Sequence, residues 1–296
     1  MSGRSIRVVR AGALTTVQDT GRPGYAHLGV PRSGALDPGA HALANRLVGN
    51  EPGAAVLETT LNGCAVRADT PTTAAVTGAP CRVTLNGRPV AWSGPVAVPA
   101  GGVLSLGPAE YGVRSYLAFA GGLAVDPVLG SRSTDLLSGL GPEPLTDGAT
   151  LPLGPARPVR PVSAPTLPWQ APPAELVLPL LPGPREDWFT DGALRTLATG
   201  TYRVSAASNR IGLRTEGPAL ERAREEELPS EGMTLGSVQV PPDGCPVVFL
   251  ADHPTTGGYP VIGVVPQEAL DPTAQAVPGT PLRFVLRRRR AAPGRN

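Results

Sequence analysis

Apolar residues in this chain fall in short β-branched runs, and abundant glycine and proline are spread among them along the whole chain. This pattern predicts strands at 5–10, 74–76, 82–85, 96–98, 103–106, 114–120, 176–181, 201–204, 247–251 and 282–286. Asn86-Gly87 lies between CRVTL and RPVAW, the expected two-residue hairpin signal. A helical period shows at two places. In the first, Asp37 is placed to cap, Pro38 suits the first helical position, Ala40, Leu43, Ala44 and Leu47 share a face, and Gly49 closes the helix. The second runs roughly over 186–197, with Trp188, Phe189, Leu194 and Leu197 loosely spaced. The expected fold is therefore mainly β with a few short helices.

From 152 to 173 the sequence becomes proline-rich, a composition that favours extended backbone. It divides the chain into an N-terminal β domain at 1–151, a linker at 152–173 and a C-terminal β domain at 174–296. No repeat of fixed period stands out. Each half does carry a Ser- and Gly-rich turn segment followed by LETTLNG or LRTEGPAL, so a duplicated barrel is compatible with the pattern.

Composition changes this picture mainly by exclusion. The chain has 296 residues, is 41% hydrophobic and has no apolar run near the roughly 20 residues of a membrane helix. Its first residues lack an apolar leader core, and the expectation is a cytoplasmic protein. All 26 basic residues are arginine. Without lysine there is no Walker A lysine, no Schiff-base lysine and no biotinyl-lysine, so no covalent biotin. Cys64, Cys81 and Cys245 fit neither a disulfide framework nor a zinc site, and read as buried apolar residues. His27, His41 and His253 lack metal-ligand spacing, and no metal is expected. A net charge of +2 does not imply nucleic acid, and the arginine run 287–290 reads as an exposed basic tail. No GxSxG elbow or nucleotide loop is present.

Four segments carry the candidate chemistry. The first, GALTTVQDTGRPGYAHLGVPRSGALDPGAHALANRLVGN, spans Gly12 to Asn50, and the second, AFAGGLAVDPVLGSRSTDLLSGLG, spans Ala118 to Gly141. SNRIGLRTEGPAL (Ser208 to Leu220) and SEGMTLGSVQVPPDGCPVVFLADHPTTGGYPVIGVV (Ser230 to Val265) are the others. Together they resemble, along nearly the whole chain, the biotin-dependent carboxyltransferase or allophanate hydrolase subunit 2 family, and in particular those members that serve as the C component of 5-oxoprolinase. Two positions depart from the family pattern: Ile211 stands where methionine is common, and His253-Pro254 stands where a glutamine often precedes Thr-Thr-Gly-Gly-Tyr.

Glycine-rich turns place Asn209, Arg210, Glu231, Gln239, Asp252, Thr255, Thr256 and Tyr259 where a backbone can approach a small ligand. Arginine suits a carboxylate or phosphate bidentately, and Asn or Gln matches both ends of an amide or lactam. Asn209, Arg210, Glu231, Gln239, Thr255, Thr256 and Tyr259, with Ser33 and Asp37 of the first motif, are the candidate substrate-binding residues, expected to share one cleft. The alternative for each is a turn-stabilising hydrogen bond, and for Asp37 a helix cap. Ser131, Arg132, Ser133 and Thr134, expected at the start of a short helix, are candidate anion binders; the alternative is a capped helix whose arginine meets solvent or a local carboxylate. No catalytic residue is assigned.

The resemblance implies cyclophilin-like β-barrel domains and a divided enzyme. This chain would be the C component of an ATP-dependent 5-oxoprolinase, pairing with a smaller homologous B component (KipI-like) and with an A component to open 5-oxoproline to glutamate, inactive alone and with ATP bound in the assembly. The same resemblance leaves two alternatives open. One is the carboxyltransferase half of a urea carboxylase or allophanate-type system. The other is a regulatory protein that binds a kinase-inhibitor partner. No nucleic acid or membrane partner is expected.

Overall fold

The protein is described here by a computed structural model covering residues 3–156, 171–224, 226 and 228–287. Most of the proline-rich segment and the arginines after Arg287 therefore lie outside the described residues. The chain divides into two compact units, one of residues 1–25 and 32–172, the other of 26–31 and 173–296. The six-residue excursion 26–31 into the second unit has no precedent in the sequence pattern. Among the described residues, no helix is long and apolar enough to cross a membrane.

The first unit is built from two antiparallel sheets. One orders Thr150–Pro152, Ser5–Arg10, Ala65–Ala68, Val103–Ala109, Cys81–Leu85 and Arg88–Pro89; the other orders Leu14–Gln18, Val56–Thr60, Arg114–Phe119, Thr72–Gly78 and Pro95–Val98. Their facing side chains, among them Ile6, Val66, Leu104 and Leu106 from one sheet and Val17, Leu57, Val76, Leu117 and Phe119 from the other, form one core. Each fully buried Leu or Phe there contributes about 1.5–3 kcal/mol.

Helix α1 (Pro38–Leu47) covers the outer face of the second sheet, packing Ala44, Leu47 and Val48 on Val56, Ala75, Tyr116 and Ala118. Arg114–Phe119 is consequently buried on both faces, with alternate residues serving different cores. The helix begins as expected: Asp37 accepts from the Ala40 amide at 2.9 Å and Pro38 opens the first turn. At the Asn86-Gly87 hairpin both residues have positive φ, 51° and 79°, as the tight turn requires.

The second unit is a closed barrel in the order Leu176–Pro182, Val261–Val264, Ser237–Gln239, Val247–Phe249, Gly212–Glu216, Tyr202–Val204, Pro281–Leu286. It closes through a parallel pairing of Leu176–Leu180 with Leu282–Leu286. Closure removes the sheet edges that would otherwise invite association. The mainly-β class is what folds, with the closed barrel in the second unit and two layered sheets in the first.

Two helical expectations are corrected. The second helix is not continuous over 186–197: a 3-10 turn at Glu186–Trp188 is followed by α2 at Asp191–Thr199. Phe189 is extended and bridges to Arg222, which breaks the helical run, and Thr190 then caps α2 by accepting from the Ala193 amide at 3.0 Å. No helix follows Ser131–Thr134; the chain makes only turns there. Cys64 and Cys81 are buried as expected, whereas Cys245 is partly exposed because it lies in a turn.

Candidate functional site

In the first unit the polar residues of the first and second motifs meet. Strand Leu14–Gln18 is followed by Asp19, whose carboxylate is buried and accepts from four donors. The Ser131 and Ser133 hydroxyls each donate at 2.6 Å, the Gly21 amide at 2.8 Å and the Arg132 amide at 2.6 Å. The serine-rich loop does bind an anion, and that anion is the chain's own Asp19. The Arg132 guanidinium instead donates to the Val125 carbonyl at 2.7 Å.

Arg22 is buried and caps backbone as well, donating to the Ser133 and Val128 carbonyls. Ser33, buried at φ 55°, donates to the Thr134 carbonyl at 2.9 Å, and Gln18 Nε2 donates to the same oxygen at 3.0 Å. The loop 22–32 leaves through a neck closed by Arg22 N–H to the Arg32 carbonyl and Ala35 N–H to the Asp19 carbonyl. Gly21 and Gly34, at φ 81° and 96°, stand at that neck, where a Cβ on Gly21 would lie 2.5 Å from a carbonyl oxygen. Only glycine fits such an approach.

Beside this cluster Glu58 is buried, accepting from the Tyr116 hydroxyl at 2.8 Å and the Leu36 amide at 3.1 Å, with Arg114 at 3.7 Å. Burial, reinforced by Glu58, pushes the Tyr116 hydroxyl well above its usual range. Burial also holds the His41 imidazole below its usual value, with its Nε2 3.0 Å from the Ala54 carbonyl. Cys64 is pushed up to about 12 by burial, and Cys81 and Cys245 also rise, so none of the thiols is a ready nucleophile at neutral pH.

In the second unit a small ribbon brings several candidates together. Glu231–Gly232 pairs with Thr256–Gly257, and the Met233 amide donates to the Thr255 carbonyl at 2.8 Å. Gln239 reaches under the ribbon, donating to the Tyr259 carbonyl at 3.1 Å. A Cβ on Gly257 would stand 2.7 Å from the Gln239 amide nitrogen, so the glycine permits the approach. The Tyr259 ring is exposed beneath the Arg222 guanidinium, 5.8 Å from its centroid. Glu231 accepts from Arg185, and this hydrogen bond holds its carboxyl below the usual range.

Asn209 and Arg210 stand differently. Asn209 is exposed and its Oδ1 accepts from the Ile211 and Gly212 amides at 2.8 and 3.2 Å, the turn-stabilising alternative. Arg210 is 1% exposed, and its fork grips Asp252, with Nε and Nη2 each 2.9 Å from a carboxylate oxygen. The bidentate geometry expected for a substrate carboxylate is thus formed with an internal one. His253 stacks on Phe249 at 6.1 Å and is 2.7 Å from the Pro254 carbonyl through Nδ1.

Glu231, Gln239, Thr255, Thr256 and Tyr259 therefore cluster in the second unit, whereas Ser33 and the loop Ser131–Thr134 cluster in the first. Asp37 is engaged as a helix cap. Sequence reasoning missed Gln18, Asp19, Arg22 and Asp135 in the first cluster and Arg222 in the second. The signal for the first four lay in the motifs themselves, which are uncommonly polar for a β domain.

Residues 28–286 match the family model described as carboxyltransferase domain, subdomain A and B. The chain belongs to this carboxyltransferase family. It is 39% identical to the 5-oxoprolinase C component of Escherichia coli, over 95% of this chain and 90% of that protein. It is 34% identical to the urea amidolyase of Lachancea kluyveri, over 95% of this chain and only 17% of that longer protein. Among solved structures it resembles TTHA0988, with TM-score 0.86, 39% identity and coverage of 96% of this chain but 56% of that one, so this chain spans about half its length. The Kluyveromyces lactis urea amidolyase matches with TM-score 0.87 at 32% identity, over 97% of this chain and 19% of that one.

Proposed function

We propose that this chain is the C component of an ATP-dependent 5-oxoprolinase, acting in the cytoplasm with the A and B components to open 5-oxo-L-proline to L-glutamate. The observation that carries the reading is the 39% identity to the Escherichia coli C component across 90% of that protein's length. The urea amidolyases match at lower identity and through a small part of themselves.

In this reading the chain supplies recognition, and the ATP-dependent step is shared with the other components. The sequence holds no lysine for a phosphate-gripping glycine loop, which supports a nucleotide site on another component. The wall of Gln239, Thr255, Thr256 and Tyr259 offers the amide, hydroxyl and ring face that a small lactam takes. Reconstitution tests the proposal: glutamate formation from 5-oxoproline and ATP is expected only when all three components are mixed. Activity of this chain alone, or inactivity of the complete mixture, overturns it.

A second reading rests on the fungal matches, which reach TM-score 0.87. There the chain would be the carboxyltransferase half of a urea-carboxylating system, moving the carboxyl group to urea from carboxybiotin, with the biotin held on a carrier of another polypeptide. Urea-dependent turnover with a biotin carboxylase, and none with 5-oxoproline, would favour it.

A further inference from the structure

The candidate wall in the second unit is flanked by an arginine that none of the four motifs contains. Arg222 is half-buried; its Nη2 donates to the Val240 carbonyl at 2.7 Å, and its guanidinium lies 5.8 Å from the centroid of the Tyr259 ring. Both contacts fall on the wall, because Val240 directly follows Gln239, and Gln239 donates to the Tyr259 carbonyl at 3.1 Å. The backbone around Arg222 is fixed as well. Phe189 bridges to it, and the Ala223 amide donates to the Trp188 carbonyl at 2.8 Å. A positive charge is therefore held in place beside Gln239 and Tyr259.

Four other arginines of this unit show the contrast, because each is taken by a carboxylate of the chain. Arg210 is gripped by Asp252 and Arg185 by Glu231, while Arg224 donates to Asp187 at 2.6 Å and Arg283 to Glu175 at 3.2 Å. Arg222 meets no carboxylate among the described residues, and the Val240 carbonyl occupies one of its five N–H donors. A guanidinium over an aromatic face recovers part of the hydration it loses, and a carboxylate adds two parallel charge-assisted hydrogen bonds. The Tyr259 ring beneath it is 43% exposed, so a small molecule can reach the pair from solvent.

We propose that Arg222, seated on Tyr259, binds the carboxylate of the lactam substrate and so sets the choice of a carboxylated lactam over a plain amide. This rests on the reading of the chain as the C component of a 5-oxoprolinase. 5-Oxoproline bears its carboxylate on the carbon next to the ring nitrogen, so one small molecule presents an amide and an anion side by side. Gln239 matches the amide, and the planar fork of Arg222 matches the anion. Urea has no carboxylate and gains nothing from Arg222.

The test uses the reconstituted three-component enzyme, with 5-oxoproline as substrate and 2-pyrrolidinone, the same lactam without the carboxylate, as inhibitor. Arg222→Gln keeps an N–H for the Val240 carbonyl and removes the charge. It should raise KM for 5-oxoproline about 10- to 100-fold, the worth of a charge-assisted hydrogen bond, with a much smaller change in kcat. 2-Pyrrolidinone should inhibit the variant and the unsubstituted enzyme to the same degree. Arg222→Lys keeps the charge without the fork and should recover part of the loss in KM. An unchanged KM in Arg222→Gln overturns the proposal and keeps the oxoprolinase reading. So does a raised KM matched by an equal weakening of 2-pyrrolidinone inhibition, which would mean that the arginine only holds the wall in shape. An unsubstituted complex that forms no glutamate from 5-oxoproline overturns the reading and the proposal together.

Discussion

Asp19 in the first unit and Asp252 in the second are both buried carboxylates in the turn that follows a strand, but their environments differ in kind. Two hydroxyls and two backbone amides satisfy Asp19, while the guanidinium fork of Arg210 neutralises Asp252. The first arrangement spreads the cost over four neutral dipoles, three of them from a loop more than a hundred residues away. The second concentrates it in one opposite charge. The first therefore tolerates loss of any one donor, whereas the second fails as a whole if either partner goes.

The largest expected effect follows directly. Arg210→Ala strands a buried carboxylate and should destabilise the chain by about 3–5 kcal/mol in urea denaturation, and Asp252→Ala should cost as much. Combining Arg210→Met with Asp252→Leu removes both charges and should recover most of that loss. If the double variant is as unstable as either single one, Asp252 has a partner beyond Arg210 and the comparison fails.

Asp19→Asn should come next, at about 2 kcal/mol, because the side chain keeps its shape while four donors lose a charged acceptor and one meets an NH2 group. Ser131→Ala or Ser133→Ala, each removing one of four donors, should cost about 1 kcal/mol. Denaturation midpoints measured across the set check the ranking. A Ser131→Ala loss as large as that of Arg210→Ala would show that the dipole network is as brittle as the ion pair.

Acid should separate the units further through His41. Burial holds its folded value below the unfolded one of about 6.5, so the unfolded chain takes up the proton first. Stability should fall as pH drops through about 6.5 toward the depressed folded value, and the group should contribute no pH dependence above that window. Asp19 and Glu58 act in the opposite direction and soften the fall. His41→Gln should flatten the pH 5–7 limb of the stability curve; an unchanged limb would place the titration elsewhere.

How much of this was legible depended on whether a residue's partner was local. The α1 cap and the Asn86-Gly87 turn were readable because each feature is closed within a few residues. Strands Leu14–Gln18 and Val56–Thr60 were not, because their buried residues show no alternation for a period-two reading to detect. Arg210 was singled out for the correct chemistry, bidentate carboxylate binding, but its carboxylate lies 42 residues along the chain, where no spacing rule applies. For the same reason the serine-rich loop looked like a site for a foreign anion.

The smallest expected effect bears on a candidate that has a clear local role. Asp37 caps α1, and asparagine is about as good an N-cap as aspartate. Asp37→Asn should therefore change stability by only a few tenths of a kcal/mol, whereas Asp37→Ala should cost about 1 kcal/mol. Thr190→Ala, the matching cap of α2 in the second unit, should cost about the same as Asp37→Ala. The asparagine variant isolates the carboxylate from the cap, so glutamate formation by the reconstituted complex reads the carboxylate alone. Full activity is expected, because asparagine can accept from the Ala40 amide as Asp37 does. A large drop in kcat/KM at unchanged stability would return Asp37 to the substrate site, and would mean that the first unit contributes charge as well as neutral dipoles to recognition.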